Sequence, residues 1–534
     1  MKKRVLLIVL PYLQNTDETK TGCWGEKYER KPSTKMRSYP ALPYGTLSIA
    51  TYCKDVADIT LFDCNIHDDY VRQLSAILVN SNPDIVGITM TFDNSYTHLN
   101  KILILIHALF PKLIIVIGGA ATIPVAKEIL EEQPLIDAVC FYEGEIPLRE
   151  ILLSDFPYIY LSQSPAWITR WSIEEDRVPQ KSVVENLDDI IALDYSFINP
   201  DDYAMREEFS PYTDEIKDQK RFFMVMSKGC PYKCAFCYRS RHEDRKMRFT
   251  SVEKIVEHVE FLIKEYGMNV MTICDDQFLA NRKWAKSVLR ALARYNLRLE
   301  LLQGVSVAFI DEEMAELMKA AGVSRVVLAI ESGSQEILNK MVDKPVNLNH
   351  AKAAIQILRK YGFWVTSVFV MGFPGETDDH RAETLKWVQE ADLDWSTFSA
   401  AVPIKGTRLY DICVEGGYIK DDIKLGDMDF SNYFIKTPGY TPEYVAREIY
   451  KMNLRVNFVE NRAMRIGDYE TAIKVFKQVI QMYENHALAH YYLYRCYYLL
   501  GKWDESLREI GKYINIVNKD KDWAEYVQEL GIGR

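Results

Sequence analysis

Three of the chain's ten cysteines stand close together, and their spacing suggests metal chemistry. Cys230, Cys234 and Cys237 form the pattern CxxxCxxC within eight residues. Three thiolates on one short loop can ligate three irons of a 4Fe–4S cluster and leave the fourth iron without a protein ligand. Such an open coordination position is what metal-based catalysis requires. The alternative is a structural zinc ion bound by these cysteines and His242, although zinc favours paired CxxC motifs and no second pair is present.

The other seven cysteines are scattered along the chain. An isolated cysteine usually packs as a small hydrophobic side chain, and we expect packing for all seven. One cluster accompanied by single cysteines is typical of a reduced, cytosolic protein with one metal site. The scattered residues are Cys23, Cys53, Cys64, Cys140, Cys274, Cys413 and Cys496.

Acidic residues and glycines follow several predicted strands in the same part of the chain. Asp275 and Asp276 come after one strand, Glu331 after another, and Gly372 after a third. Carboxylates accept hydrogen bonds from cationic groups, and glycine lets the backbone approach a ligand closely. Each feature alone also fits a helix cap or a turn. Their position at successive strand ends favours a binding site.

Residues 216–435 predict six strands, each followed by a helical pattern. Six such units exceed what a flavodoxin-like sheet needs and suit a full or partial (β/α) barrel. The carboxyl ends of barrel strands share one face, so we expect the cysteines and the strand-end residues to lie together. The predicted strands are Phe222–Met226, Val270–Ile273, Leu299–Gln303, Val326–Ile330, Val365–Met371 and Ser396–Ala401.

Residues 1–155 predict a separate α/β domain, Rossmann-like (flavodoxin-like), with a parallel sheet covered on both faces. Ligands of such sheets bind beyond the carboxyl ends of the strands. The polar and glycine-rich loops there contain Thr89, Thr91, Gly118, Gly119, Glu143, Gly144 and Glu145, although the paired glycines also fit a tight strand-to-helix turn. The predicted strands are Val5–Leu10, Ile59–Phe62, Ile85–Met90, Leu113–Ile117 and Ala138–Phe141. The predicted helices are Gly45–Lys54, Asp68–Ser81, Tyr96–Phe110 and Ala121–Glu132.

The remaining segments differ in character. Residues 156–215 have weak periodicity and several prolines, which predicts a linker packed between domains. Residues 436–534 predict an all-α region. Gly467–Tyr469 recurs as Gly501–Trp503 after 34 residues, the period of tetratricopeptide helix pairs. Only about two repeats are visible, and Glu484 stands where such repeats often have proline.

Composition excludes several broad classes. Apolar residues make up 48% and charged residues 26%, which excludes disorder, collagen and coiled coil as the main architecture. A net charge of −10 argues against a nucleic-acid or anionic-membrane partner. The apolar run Val5–Leu10 stops at Pro11 without a cleavage site, and no run reaches the ~18 apolar residues of a spanning helix. We therefore expect a cytoplasmic protein with no membrane span.

On these motifs the chain resembles the radical S-adenosylmethionine (SAM) superfamily. Phe236 precedes the third cysteine of CxxxCxxC, a position where that superfamily has an aromatic residue. The first domain resembles a cobalamin-binding-type domain, so the chain is similar to class B radical SAM methyltransferases over residues 1–430. The chain departs from the superfamily pattern at Ser306, where an arginine is common, and lacks the Asp-x-His-x-x-Gly motif that ligates cobalt. The segments that carry the resemblance are Tyr39–Tyr52, Gly118–Gly119, Gly144–Glu145, Cys274–Phe278, Ala320–Ser334, Met371–Thr377 and Pro403–Tyr410.

The resemblance implies three cofactors. The 4Fe–4S cluster would be bound by the three clustered cysteines and would split SAM reductively to a 5′-deoxyadenosyl radical. Cobalamin would bind without a histidine axial ligand. The residues implied for SAM are Phe236, Asp275, Asp276, Glu331, Ser332, Gly372 and Gly375. Those implied for cobalamin are Thr89, Thr91, Gly118, Gly119, Glu143, Gly144 and Glu145.

Three functional hypotheses follow. The first is cobalamin-dependent methylation of an unactivated carbon in a small molecule or peptide, with flavodoxin or ferredoxin as electron donor. The second is a radical cyclase or rearrangement enzyme whose first domain is empty or gives no methyl group. In the third, the tetratricopeptide-like tail also recruits a peptide or carrier-protein substrate. The tail aromatics relevant to the third hypothesis, which also fit inter-helix packing, are Tyr491, Tyr492, Tyr494, Tyr497 and Tyr498.

Overall fold

The computed structural model describes residues 2–12, 41–203, 219–239, 246–301, 303–420, 423–428 and 433–532. Its α/β architecture consists of an N-terminal sheet domain, a central domain of parallel strands and a C-terminal helical region. All eleven predicted strands are present, and each ends within two residues of its predicted limits. The buried β-branched runs therefore identify the strands correctly, as expected for parallel sheets covered on both faces. Cys23, Tyr39 and His242 lie outside the described residues.

The N-terminal sheet has six strands in the order β2-β1-β3-β4-β5-β6. The first five are parallel, and β6 pairs antiparallel with β5. The strands are β1 Lys3–Val9, β2 Ala57–Asp63, β3 Ile85–Thr89, β4 Ile114–Gly118, β5 Ala138–Cys140 and β6 Trp167–Ile168. The helices are α1 Tyr44–Cys53, α2 Tyr70–Ser81, α3 Tyr96–Leu109, α4 Ala126–Glu132, α5 Glu145–Leu153, α6 Pro157–Gln163 and α7 Arg170–Glu174.

One predicted helix begins later than the sequence pattern indicates. The pattern predicts a helix from Ala121, whereas α4 begins at Ala126 after the short 3₁₀ turn Ile123–Val125. The backbone N–H of Ala121 is instead bonded to the carbonyl of Met90 at the end of the neighbouring strand, 3.3 Å away. The loop therefore follows the sheet edge before the helix can start.

The segment predicted as a linker, 156–215, does more than connect domains. Its first part supplies α6, β6 and α7, so it extends the N-terminal sheet by one edge strand. The guanidinium of Arg170 fixes this part by donating to three backbone carbonyls, one in the last turn of α4 and two in the α4–β5 connection. Further along, Tyr195 and Tyr203 are buried in the hydrophobic core of the central domain. The prolines and short polar turns of this segment interrupt the apolar periodicity, so the sequence pattern does not predict this packing.

The central domain is a partial barrel of six parallel strands. Its two three-stranded sheets have the orders β7-β10-β11 and β12-β13-β14, and single bridges at Leu299–Val323 and Val305–Leu328 join them. The six barrel strands are β7 Arg221–Met224, β10 Val270–Ile273, β11 Arg298–Leu301, β12 Arg325–Glu331, β13 Trp364–Met371 and β14 Trp395–Ala400. The short strands β8 Ser227–Lys228 and β9 Arg248–Phe249 form a separate antiparallel ribbon. The helices are α8 Val252–Tyr266, α9 Arg282–Leu292, α10 Glu312–Ala320, α11 Gln335–Ile337, α12 Leu348–Lys360, α13 Asp378–Glu390 and α14 Arg408–Glu415.

The C-terminal region is all helical, as predicted, and is continuous with the barrel. Two asparagines of the first tail helix and its π-helical extension, Asn453 and Asn457, bond the backbone of Phe398 and Ser396 on the outer strand β14. Trp395 of β14 belongs to the hydrophobic core of the tail. The helices are α15 Pro442–Leu454, α16 Arg462–Ile466, α17 Tyr469–Met482, α18 Ala487–Leu499, α19 Trp503–Lys519 and α20 Lys521–Glu529. Among the described residues, no helix is long and apolar enough to cross a bilayer.

Candidate active site

The cysteine loop, residues 226–239, begins where β7 ends and is tied first to β10. The backbone N–H of Met226 donates to one carboxylate oxygen of Asp275 at 2.8 Å, and the hydroxyl of Ser227 donates to the other at 2.5 Å. Burial raises the pKa of Asp275 to about 7, and these two donors oppose the shift. Asp275, which is predicted to contact SAM, thus uses both of its carboxylate oxygens to hold the loop.

Three more hydrogen bonds fix the middle of the cysteine loop. The backbone N–H of Ala235 donates to the carbonyl of Val342, and the N–H of Leu409 donates to the carbonyl of Ala235, both at 2.9 Å. The hydroxyls of Tyr232 and Ser306 lie 2.8 Å apart. Ser306, where the superfamily often has an arginine, therefore anchors the loop instead. The loop is held by three separate parts of the barrel.

The three clustered cysteines lie at the carboxyl end of the first barrel strand. Cys234 is buried, while Cys230 and Cys237 are partly exposed. Burial raises the pKa of Cys230 to about 11 and that of Cys234 to about 12, and the Lys344 ammonium opposes the shift at Cys234. A metal is ligated by the thiolate form, so iron binding at these positions would release protons. In the described part of the chain, no three His, Cys, Asp or Glu side chains converge on one metal ion. A 4Fe–4S cluster does not require that convergence, because each thiolate binds a different iron.

A buried ion pair lies beside the cysteines. The Glu331 carboxylate and the Lys344 ammonium are 2.8 Å apart, and Lys344 also donates to the carbonyl of Ala329 at 2.7 Å. Glu331 has a φ of 73°, next to a register shift between β12 and β13, so the strand bends where it presents this carboxylate. Lys344 is absent from the sequence prediction, and no spacing pattern marks it. A buried lysine needs an anionic partner, and only the fold shows which one.

Two other residues assigned to SAM have protein partners. Asp276 forms an ion pair with Arg239 of the cysteine loop at 2.9 Å. Ser332 is buried, and its hydroxyl accepts from the backbone N–H of Ser334 at 3.1 Å. Phe236 packs with its ring centroid 6.1 Å from that of Phe373, which belongs to the Gly372–Gly375 turn. Phe236 thus connects the cysteine loop to that turn.

The Gly372–Gly375 turn is held from the C-terminal side of the barrel. Gly372 and Gly375 both have a φ of 82°, and a Cβ at Gly372 would lie 3.0 Å from a methyl group of Val445 in α15. The hydroxyl of Tyr440 donates to the carbonyls of Gly372 and Phe373 at 2.7 and 2.8 Å. The positive φ and the close approach of the tail together favour glycine at 372. Burial raises the pKa of Glu376, which accepts from the N–H of Gly372, to about 6.

The edge of the N-terminal sheet brings together part of the predicted cobalamin set. Thr89 and Gly118 end adjacent strands, and the Thr89 hydroxyl lies 3.0 Å from that of Thr46. Gly119 has a φ of 110°, and a Cβ there would collide with the backbone of Met90. A Cβ at Gly144 would lie 2.7 Å from the terminal methyl group of Ile49, so this side chain would have to move. Thr91 is exposed just beyond the same edge.

The two acidic residues of the predicted cobalamin set, Glu143 and Glu145, face the central domain. Glu143 pairs with Arg248 and Lys228, and Glu145 pairs with Lys228, so both carboxylates bond cations of the central domain. Their predicted role in binding cobalamin stays a prediction. The same edge presents an aromatic pair that the sequence analysis missed, Tyr12 and Phe92, with ring centroids 5.1 Å apart.

Family models match all three parts of the chain. A radical SAM superfamily model matches residues 224–388, a B12 binding domain model matches 36–152, and a tetratricopeptide repeat model matches 463–530. The radical SAM match contains the cysteine loop, the Glu331–Lys344 pair and the Gly372–Gly375 turn. The B12 binding match ends just beyond Glu145.

Three curated proteins are similar over most of this chain. An uncharacterized methyltransferase of Pyrococcus horikoshii is 26% identical over 78% of this chain and 84% of its own length. The cytidylyl-2-hydroxyethylphosphonate methyltransferase of Streptomyces wedmorensis is 27% identical over 74% of this chain and 78% of its own. The anaerobic magnesium-protoporphyrin IX monomethyl ester cyclase of Rubrivivax gelatinosus is 24% identical over 74% and 68%.

Two solved structures share the fold. The radical SAM methyltransferase TsrM of Kitasatospora setae, with cobalamin and a 4Fe–4S cluster bound, gives a TM-score of 0.63 at 16% identity, covering 85% of this chain and 92% of its own. The cobalamin-dependent radical enzyme OxsB, with aqua-cobalamin and SAM bound, gives 0.67 at 15% identity, covering 99% and 80%. With its loop of three cysteines at the carboxyl end of a partial barrel, the chain contains a radical SAM domain, which follows an N-terminal B12 binding domain and precedes a C-terminal tetratricopeptide region.

Proposed function

We propose that this enzyme cleaves SAM reductively at a 4Fe–4S cluster and methylates an unactivated carbon with the help of cobalamin. The observation that carries the proposal is the loop containing Cys230, Cys234 and Cys237, which offers three thiols and no fourth from the same loop. Three protein ligands leave one iron open, and an open iron is where a substrate can be activated.

The cluster, when bound, supplies the electron that breaks the sulfonium bond, and the protein positions the reactants. The residues around the cysteines fit this task. Asp275 and Ser306 hold the loop, and Lys344 places a positive charge near the thiolates. Phe236 and the Gly372–Gly375 turn form the apolar side of the site, which favours exclusion of water from a radical reaction. We assign SAM to this region, with Asp276, Glu331 and Ser332 at its border.

The edge of the N-terminal sheet is our proposed cobalamin site. Tyr12 and Phe92 provide an aromatic surface there, and the Phe92 side chain is 42% exposed. An exposed aromatic pair at the carboxyl edge of a parallel sheet suits the packing of a flat macrocycle. Thr89, Thr91 and Gly118 lie at the same edge and complete the set. We propose that cobalamin binds without a histidine axial ligand.

A second candidate is a radical cyclase or rearrangement enzyme. A relative named as a cyclase aligns with 74% of this chain, the same share as one methyltransferase and slightly less than the 78% of the other. Both reactions need the cysteine loop, so the barrel does not distinguish them. The two candidates differ in whether cobalamin serves as a methyl carrier, so this property distinguishes them.

The tail is proposed to bind a peptide or carrier protein in addition. Tyr492 and Tyr497 are buried in its core, whereas Tyr498 and Trp503 are exposed and lie edge to face with ring centroids 5.1 Å apart. Exposed aromatic residues on a helical repeat are suited to partner binding. The substrate, a small molecule or peptide, and the flavodoxin-type or ferredoxin-type electron donor remain part of the proposal.

Anaerobic reconstitution with iron, sulfide and cobalamin tests the proposal. We expect about four irons, as one 4Fe–4S cluster requires, and one cobalamin per chain. With SAM and a reductant, we expect both 5′-deoxyadenosine and S-adenosylhomocysteine, since methyl donation leaves the latter. A chain with a full cluster that makes 5′-deoxyadenosine but takes up no cobalamin would refute methylation and favour the cyclase alternative.

A further inference from the structure

Four charged side chains lie between the N-terminal and central domains and form an interdomain charge cluster: Glu143, Glu145, Lys228 and Arg248. Two carboxylates come from the N-terminal domain and two cations from the ribbon that leads into the cysteine loop. The exposed fractions of these four side chains range from 4% to 20%. Charges this shielded from water persist only when they are paired and hydrogen-bonded.

The N-terminal domain presents its two carboxylates from a constrained turn. Tyr142 has a φ of 97°, which is rare for a residue with a side chain, and it directly precedes Glu143. One oxygen of Glu145 accepts from the Ser48 hydroxyl at 2.7 Å and from the Lys228 ammonium at 3.3 Å. Helix α1, which contains Ser48, thus fixes the carboxylate that faces the barrel.

The central domain presents the two cations side by side. Strands β8 and β9 pair antiparallel with Lys228 directly opposite Arg248. Like charges opposite each other destabilise a two-stranded ribbon unless anions neutralise them. Glu143 lies 3.3 Å from the Lys228 ammonium and accepts two hydrogen bonds from the forked Arg248 guanidinium. Arg248 also donates to the carbonyl of Val184 at 2.5 Å.

The ribbon leads directly into the metal-binding residues. Cys230 follows Lys228 after a single glycine, Gly229, which has a φ of 106°. A Cβ at Gly229 would lie 3.1 Å from the carbonyl of Lys246, so the ribbon and the first cysteine are packed tightly together. A shift of Lys228 would therefore move Cys230.

We propose that the interdomain charge cluster fixes the position of the cysteine loop relative to the carboxyl edge of the N-terminal sheet, with Lys228 and Arg248 as positioning residues. The inference rests on the proposed function only in placing cobalamin at that edge. Its structural half, that the charge cluster holds the cysteine loop in place, does not depend on any cofactor. Its functional half is that this sets the distance between the two cofactors. Loss of the two carboxylates loosens the loop and widens the range of distances between the two cofactors.

Hydrogen–deuterium exchange on the full chain, without added cofactors, tests the structural half. In Glu143→Gln/Glu145→Gln we expect amides of residues 226–230 to exchange about fivefold or more faster, with β12 and β13 unchanged. Glu390→Gln, which removes an exposed carboxylate paired with Lys352, is the matched control and should leave the loop unchanged. Unaltered exchange in the double variant would overturn the proposal.

Pulsed EPR on the reconstituted enzyme tests the functional half. With the cluster reduced and cobalamin in its paramagnetic Co(II) state, wild type should give one narrow cluster–cobalt distance distribution, and the double variant a broader one. Arg248→Lys, which keeps the charge, should broaden the distribution less than Arg248→Met. These single variants replace the double variant in the test if the double variant does not fold. Equal widths in all variants would overturn the positioning role. Faster exchange in a chain that binds no cobalamin would instead refute the proposed function and leave the charge cluster's structural role intact.

Discussion

Within the site, the Glu331–Lys344 ion pair is where replacing a single residue is expected to reduce stability most clearly. Both side chains are buried, and Glu331 is the carboxylate that pairs with the Lys344 ammonium beside Cys234. Truncating one member of such a pair leaves an unpaired charge in a poorly solvated place, which typically costs about 3–5 kcal/mol. Replacing both members is far less destabilising.

Lys344→Met is therefore expected to lower the free energy of unfolding by about 3–5 kcal/mol, measured by denaturant titration. The double variant Lys344→Met/Glu331→Gln should recover most of that loss, because no buried charge remains unpaired. Equal destabilisation in the single and double variants would show that the pair is not the cause.

A second residue-scale prediction concerns pH. His258 of α8 is buried and stacked near Tyr195, and burial lowers its pKa to about 4. A depressed histidine pKa contributes stability above the unfolded value of about 6.5, and this contribution is lost as pH falls toward 4. At pH 5 the loss is about 2 kcal/mol.

His258→Phe keeps the aromatic packing and removes the titration. Its stability relative to wild type, followed by urea unfolding from pH 7.5 to pH 4.5, should improve by about 2 kcal/mol between pH 7 and pH 5. If the difference in stability between His258→Phe and wild type stayed constant across this pH range, the lowered pKa of His258 would be contradicted.

Several of these residues show what the sequence can and cannot predict. The spacing of Cys230, Cys234 and Cys237 identifies the metal chemistry because the ligands are local in sequence. The partner of Asp275 is the loop itself, and that of Glu145 is Lys228, which is 83 residues away. Such pairs depend on how the domains meet, so the sequence predicts acidic residues at these strand ends but does not show which protein groups they bond.

Among the secondary-structure elements, the outer strand β14 has an unusual neighbour. The side-chain amide of Asn457 donates to the carbonyl of Ser396 at 2.7 Å, and its oxygen accepts the N–H of the same residue at 2.9 Å. Asn453 bonds both backbone groups of Phe398 in the same way. The tail thus satisfies an open barrel edge that would otherwise be free to pair with another chain.

Asn457→Leu is expected to destabilise the chain by about 2–4 kcal/mol, because it leaves the buried N–H and carbonyl of Ser396 without partners. Thermal unfolding should show the loss. Asn349→Leu, at an exposed position in α12, is the matched control and should change stability by less than about 0.5 kcal/mol. Equal effects of the two substitutions would argue against a role for Asn457 at the strand edge.

For the whole molecule, the three regions depend on one another. The N-terminal domain holds the cysteine loop through the interdomain charge cluster, and the tail holds the Gly372–Gly375 turn through Tyr440 and Val445. The strands, the partial barrel and the helical tail were predictable because local periodicity encodes them. The edge strand β6 and the contacts of the tail with the barrel were not, because two-residue strands and side-chain-to-backbone bonds leave no periodic pattern.

The central claim is that the cysteine loop binds a catalytic iron–sulfur cluster. Its most direct test is the metal content and 5′-deoxyadenosine yield of the anaerobically reconstituted chain, compared with Cys234→Ala and with Cys496→Ala, a buried cysteine of the tail. We predict about four irons and 5′-deoxyadenosine for wild type and Cys496→Ala, and loss of 5′-deoxyadenosine for Cys234→Ala. Zinc in place of iron, or undiminished 5′-deoxyadenosine from Cys234→Ala, would contradict the account.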